Sequence, residues 1–187
     1  DAGRVTYTTD DGRTATRHFL NVASIGASGN IVRAVNAAVV GKKRSGKALF
    51  YFHTLREMLR YRPQQVRVHL ADGQSVELTT ALVAIANGRF FGGGMNVTPD
   101  AALDDGLFDV LLYEAPGKLQ MVSDFNRIYR GTHVDLPCVA MHKAAWIEVE
   151  PADAAPENAA VLEIDGESPG RIRARFEILP QALTLSL

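Results

Sequence analysis

Cysteine is nearly missing. Cys138 stands alone in 187 residues, which excludes an intrachain disulfide framework and any zinc site of several thiolates, and fits a reducing compartment. Long apolar runs are missing too: the longest, around residues 81–86, has the length of a strand, far short of the ~20 residues of a membrane-spanning helix. Neither sign of charge is in excess, with 20 Lys and Arg against 21 Asp and Glu. No overall positive field exists to displace phosphate counterions, so nucleic acid is not expected as a partner. The amino terminus shows neither the basic nor the apolar stretch of a signal peptide. It also lacks an initiator Met and opens inside what reads as a strand, so an excised domain or trimmed fragment is expected.

What is present is apolar content, 47% of the chain, which with balanced charge argues against disorder. A chain of this length buries roughly 70% of its unfolded surface, enough for one domain spanning residues 1–187. No internal repeat is visible. Most of the sequence reads as strands. Val5 to Thr9 and Thr14 to Val22 flank an Asp-Gly turn; Gln65 to Leu70 and Ser75 to Thr80 flank another at Asp72-Gly73, with apolar and polar residues alternating. Residues 81–86 are wholly apolar, as in a strand buried on both faces. Leu107 to Tyr113, Val139 to Val149, Ala160 to Ile164, Arg171 to Leu179 and the tail from Ala182 complete the set.

Two or three helices interrupt the strands. Lys47 to Tyr61 gathers Leu49, Phe50, Phe52, Leu55, Met58 and Leu59 near one face, with Arg56, Glu57 and Arg60 opposite. Ile31 to Val40 can be capped by Asn30 and stopped by Gly41, and Gly117 to Tyr129 is a third. The fold class predicted is mainly β, an antiparallel sandwich or barrel with two or three flanking α-helices.

Three segments carry candidate chemistry. Three glycines, Gly92, Gly93 and Gly94, follow Asn87 and the buried strand; they permit positive φ and can bring backbone N–H groups against a ligand, or simply make a tight bulged connection. Asp104-Asp105-Gly106 can hold a hard cation through carboxylate and carbonyl oxygens, or be a turn. In Glu163-Ile164-Asp165-Gly166-Glu167, Asp165 and Glu167 are two apart, so on one strand they converge, raising one pKa as a general base requires; a hairpin turn with solvated charges is the alternative. The five histidines lack metal-ligand spacing, Cys138 has no partner motif of a nucleophile, and the basic run Lys42 to Lys47 is either a solvated loop or a contact for lipid phosphates.

Taken in order, Asn21-Val-Ala-Ser-Ile-Gly-Ala-Ser-Gly, Ala86-Asn-Gly-Arg-Phe-Phe-Gly-Gly-Gly-Met, Pro99-Asp-Ala-Ala-Leu-Asp-Asp-Gly-Leu-Phe-Asp-Val and Ile164-Asp-Gly-Glu resemble one family. It is the C-terminal domain of the diacylglycerol-kinase-like lipid kinases, which include bacterial diacylglycerol kinases and sphingosine kinases. The resemblance covers nearly the whole chain, and the glycine loop followed by Asp-Asp-Gly is its most specific part.

The resemblance implies a two-domain enzyme that transfers the ATP γ-phosphoryl group to a lipid hydroxyl such as that of diacylglycerol. The family's N-terminal nucleotide-binding domain, with its Gly-Gly-Asp-Gly-Thr loop, has no counterpart here, so this chain alone is expected to be inactive and to need that domain as its partner. By motif, Asp105 supplies a carboxylate to Mg2+, with the carbonyls of Ala102 and Leu107 as the other protein ligands, and Glu167, ahead of Asp165, is the proton acceptor. ATP is the co-substrate. A cytoplasmic protein touching the inner face of the membrane peripherally is implied, and an uncovered interdomain face favours a homo-oligomer. Two other readings stand beside this one: a non-catalytic lipid-binding or assembly module, and a kinase of a soluble substrate such as a nicotinamide dinucleotide.

Overall fold

The computed structural model describes residues 1–39, 47–153 and 159–184. Both Asp-Gly hairpins form. The first joins β1 (Ala2–Thr9) to β2 (Thr14–Phe19), and the second joins β4 (Gln64–Leu70) to β5 (Ser75–Ala86). The predicted strand from Thr14 stops at Phe19, and a separate strand, β3 (Val22–Gly26), follows. Two-residue ribbons β6 (Phe90–Phe91) and β7 (Met95–Asn96) bracket the glycine loop. After β8 (Phe108–Glu114), the single strand expected over 139–149 divides at Ala145 into β9 (Val139–Ala144) and β10 (Trp146–Pro151). β11 (Val161–Ile164) and β12 (Glu167–Leu179) are the last strands among the described residues. Residues 182–184 of the expected tail strand carry no regular structure, and the rest of that tail lies outside the described residues, as do Lys42 to Gly46 of the basic run.

The strands β10, β4, β5, β3, β11 and β12 follow one another in a sheet that closes on itself, because β12 pairs with β11 through its first half and with β10 through its second. All pairings are antiparallel. β1–β2 extends the sheet from β12, and β8–β9 extends it from β5. The residues filling the barrel include Phe19, Ile25, Ile85, Phe108, Leu162 and Phe176, with Phe19 stacked on Phe108 at 5.6 Å. β5 is buried on both faces as expected: Val83 and Ile85 belong to the barrel core, Leu82, Ala84 and Ala86 to a second core outside it.

That second core packs under α1 (Ala27–Val39), α2 (Lys47–Arg60) and α3 (Lys118–Arg130). α1 starts four residues before the expected Ile31, so Asn30 lies within it rather than capping it. Gly29 explains the early start: a Cβ there would sit 2.6 Å from the Val161 side chain, so only glycine lets the first turn press onto β11. On α2, Thr54 and Met58 face inward. Phe52 and Leu59 share the outer side with Arg56 and are 62% and 48% exposed, against the expectation of one apolar face. Gly131, with φ 72°, closes α3.

Candidate functional site

Register decides what faces the second core. β11 pairs with β3 so that Glu163 lies opposite Ser24, while Leu162 and Ile25 turn into the barrel. Glu163 and Ser24 therefore project from the outer face, beneath the first turn of α1, which brings Ser28 over Ser24. Between this face and the helices lies a cavity of about 410 Å³. Its walls are apolar along Ile31 and Val35 of α1, Met58 of α2, Leu82 of β5, and Met121, Phe125 and Ile128 of α3. At one end the lining becomes polar, with Asn21, Ser28, Glu163, Asp165 and Gly166, and with the backbone of Gly92 and Gly93.

Glu163 is 2% exposed and bonds to Ser24 Oγ, while its other oxygen accepts the Gly166 N–H at 2.6 Å. Burial pushes its carboxyl up to about 7; the Ser24 hydroxyl and Gly166 N–H pull it down, and the charge on Asp165 adds to the rise. Asp165 and Gly166, with φ of 45° and 87°, form the two-residue turn between β11 and β12. The Asp165 carboxylate accepts the backbone N–H groups of Leu20 (2.8 Å), Asn21 (3.2 Å) and Val22 (3.0 Å). These bonds are what divide β2 from β3.

Glu167 goes elsewhere. Because the turn falls between them, Asp165 and Glu167 do not share a strand face, and Glu167 pairs with Arg17 on the exposed sheet edge at 2.6 Å. Of the expected acid pair, Asp165 lines the cavity and Glu167 does not; the buried acid, Glu163, was not among the candidates. The signal for it was a lone acid in the apolar run Ala160 to Ile164.

The glycine loop reaches the site. Gly92, Gly93 and Gly94 all have positive φ (53°, 82° and 105°), and the first two line the cavity. Asn21 Nδ2 donates to the Phe90 carbonyl at 2.8 Å and ties the loop to the start of β3. Asn87 is not in the lining: its amide donates to the carbonyls of Asp1 and Leu20 and braces the strand ends.

Asp105 is not among the residues that line the cavity. Its carboxylate accepts the Leu107 N–H (3.1 Å) and the Lys143 ammonium (2.7 Å), which also reaches Asp109 at 3.1 Å. Burial raises the Asp105 carboxyl, but Lys143 and the Leu107 N–H outweigh it and hold it below the ordinary range. Burial lifts Asp109, with Lys143 opposing. Among the described residues no three His, Cys, Asp or Glu side chains gather as a metal site. A hard cation at Asp105 would have to displace Lys143. Lys143 shows that Asp105 holds a positive charge, and a cation taken up there leaves the ammonium to Asp109. Lys143→Met is therefore expected to tighten magnesium binding and Asp105→Asn to weaken it, each about tenfold, in calorimetric titrations with MgCl2; equal affinities in wild type and Asp105→Asn would refute a cation site at Asp105.

Against known proteins, residues 21–187 match the family described as YegS C-terminal NAD kinase beta sandwich-like domain. The chain belongs to this family. A "Probable lipid kinase YegS-like" protein of Pseudomonas aeruginosa is 32% identical over 169 residues, covering 90% of the chain and 53% of that protein. A "Diacylglycerol kinase" of Mycobacterium tuberculosis is 30% identical over 105 residues, 56% of the chain and 34% of that protein. A crystal structure described as a diacylglycerol kinase from Bacillus anthracis superposes with a TM-score of 0.54 at 18% identity, over 96% of the chain and 52% of that structure, and so shares the fold. The YegS-like relatives thus share the domain across their own length only in part, and the chain spans between a third and about half of the curated relatives it matches. No helix among the described residues is long and apolar enough to cross a membrane.

Proposed function

We propose that this YegS-type domain is the acceptor half of an ATP-dependent lipid kinase, holding the alkyl part of a lipid alcohol while a nucleotide-binding domain delivers the γ-phosphoryl group. The observation that carries the reading is the cavity itself: a largely apolar hollow of about 410 Å³ whose lining includes two carboxyl groups and glycine backbone. Apolar walls take the chain of the lipid, and the hydroxyl then lies at the polar end. Phosphoryl transfer asks the protein mainly for positioning and charge neutralisation, with a carboxylate orienting the attacking hydroxyl. Asp165 is the candidate base that borders the bound alcohol; Glu167, on the open edge with Arg17, meets it only across an interface with the nucleotide domain. Mg2+ held by Asp105 and the carbonyls of Ala102 and Leu107 would supply fixed positive charge in the segment leading into β8. The names of the relatives, diacylglycerol kinase and lipid kinase, support the same substrate class.

Approach to a membrane is peripheral in this reading. α2 lines the cavity with Met58 and turns Phe52, Leu59, Arg56 and Arg60 outward, apolar and basic groups that suit a bilayer surface.

The test joins the chain to an amino-terminal nucleotide-binding domain and measures radiolabelled phosphate transfer from MgATP to dioctanoylglycerol. Turnover is expected, falling roughly 10²–10⁴-fold in Asp165→Asn or Glu167→Gln, whichever accepts the proton. Tight lipid binding without turnover would replace the kinase reading by that of a lipid-holding module.

A further inference from the structure

Ser24 has one hydroxyl hydrogen and two hydrogen-bonding neighbours, Glu163 on one side and Ser28 on the other, with Ser28 Oγ at 2.8 Å. All three side chains are buried, and Glu163 and Ser28 both line the cavity. The single hydrogen fixes the direction of the chain. When Glu163 is ionised it can only accept, so Ser24 donates to it and the Ser24–Ser28 bond must come from Ser28. Ser28 then shows the cavity lone pairs alone and accepts from a ligand. When Glu163 is protonated it can donate to Ser24, Ser24 donates to Ser28, and the Ser28 hydrogen is released toward the cavity.

We infer that Glu163, Ser24 and Ser28 form a reversible hydroxyl relay that selects the head group of the bound alkyl ligand, favouring a hydrogen-bond donor (an alcohol or an ammonium) when Glu163 is ionised. The inference rests on the reading of the cavity as an alkyl site and adds to it the chemistry recognised at its polar end.

The surroundings leave the relay under Glu163's control. Asp165, on the same hairpin, is the charge that bears on Glu163. From α1, Arg33 is held by Asp10 and Ser168; from β12, Arg171 is held by Asp10 and the Ala159 carbonyl, and Glu167 by Arg17. Across the cavity, the Tyr113 hydroxyl donates to Asp124 at 2.9 Å. Burial sets the Glu163 carboxyl to change charge near neutral pH, about 7, so the relay reverses within an accessible range.

Glu163→Gln makes a specific prediction. Gly166 N–H needs an acceptor, so the amide oxygen must face it and the amide nitrogen must face Ser24. The amide then donates to Ser24 at every pH and locks the relay in its protonated sense. Ser24→Ala cuts the link between Glu163 and Ser28.

The experiment is calorimetric titration of the chain with 1-decanol, decylammonium chloride and decyl methyl ether at about pH 5.5 and about pH 8.5, on either side of the Glu163 transition. For the wild type, the alcohol and the ammonium are expected to bind about tenfold more tightly than the ether at the higher pH, with the preference lost at the lower one. Glu163→Gln should show the low-pH pattern at both, and Ser24→Ala should show no pH dependence. A pH-dependent donor preference that survives in both variants overturns the relay, as does equal binding of all three ligands by the wild type at both pH values. If no ligand of the three binds, the alkyl-site reading falls and the relay with it; if they bind without head-group preference, the alkyl site stands and the relay alone is lost.

Discussion

Asp165→Ala is expected to lower the melting temperature by about 5–15 °C. The carboxylate accepts three consecutive backbone N–H groups, those of Leu20, Asn21 and Val22, at the break between β2 and β3. An unsatisfied buried donor costs roughly 1–3 kcal/mol, and water replaces the acceptor at the two more exposed positions, so the hydrogen bonds account for about 2–3 kcal/mol. Alanine also lacks the side-chain oxygen by which Asp tolerates the left-handed backbone at φ 45°, which adds up to about 1 kcal/mol. For a domain of this size each kcal/mol moves the midpoint by about 2–4 °C. Asn tolerates that backbone and keeps one acceptor oxygen, so Asp165→Asn should lose less than half as much. Thermal melts followed by circular dichroism decide the matter: an Asp165→Ala protein melting with the wild type would mean that the three bonds do not hold the strand break. The same comparison matters for function, because only the Asn variant tests Asp165 as a base in a folded site.

The second large effect is on stability against pH. The Glu163 carboxyl is raised from an unfolded value of 4.5 to about 7 by burial. For a carboxyl raised on folding, the favourable situation is the protonated one. Its contribution is fully present below about 4.5 and is lost as pH rises through about 7. The difference corresponds to about 3 kcal/mol at alkaline pH. Glu163→Gln removes this titration, so its stability relative to the wild type should rise by about that amount between pH 4.5 and 8, read from urea denaturation at several pH values. His133 works in the opposite sense. It is 1% exposed, and burial holds its imidazole below the ordinary range, so it withdraws stability as pH falls below about 6.5. That term is common to both proteins and cancels in their difference. A difference that stays constant with pH would show that Glu163 does not titrate on folding.

Much of the fold can be read from turns and alternation. Asp-Gly at residues 72–73 with alternating flanks, and the two-sided apolar run 81–86, specify their strands locally. The acid site is harder. Asp-Gly at 165–166 is the same turn signal, yet counting two residues along a strand places Asp165 and Glu167 together; the turn itself separates them. Whether Glu163 points to water or to the interior depends on its pairing with Ser24, which is 139 residues away in sequence, and on α1 descending over both. Such facts belong to tertiary register and not to any local window. The start of α1 was displaced for a related reason: Asn30 is a good capping residue, but contact between Gly29 and Val161 draws the preceding turn into the helix. Similarly, Phe52 and Leu59 share a side of α2 with Arg56, and only the position of the sheet shows that this side is outermost.

β12 has a consequence for how the molecule is made. It hydrogen-bonds to β1, β10 and β11, and through it the sheet becomes a ring. During synthesis, β1, β10 and β11 therefore each wait with an unfilled edge until this strand has left the ribosome. Pairing of β1 with a strand about 170 positions later also makes assembly slow. Stalled translation before Glu167 should thus leave a nascent species without its acid hairpin, exposing strand edges that a chaperone would have to shield.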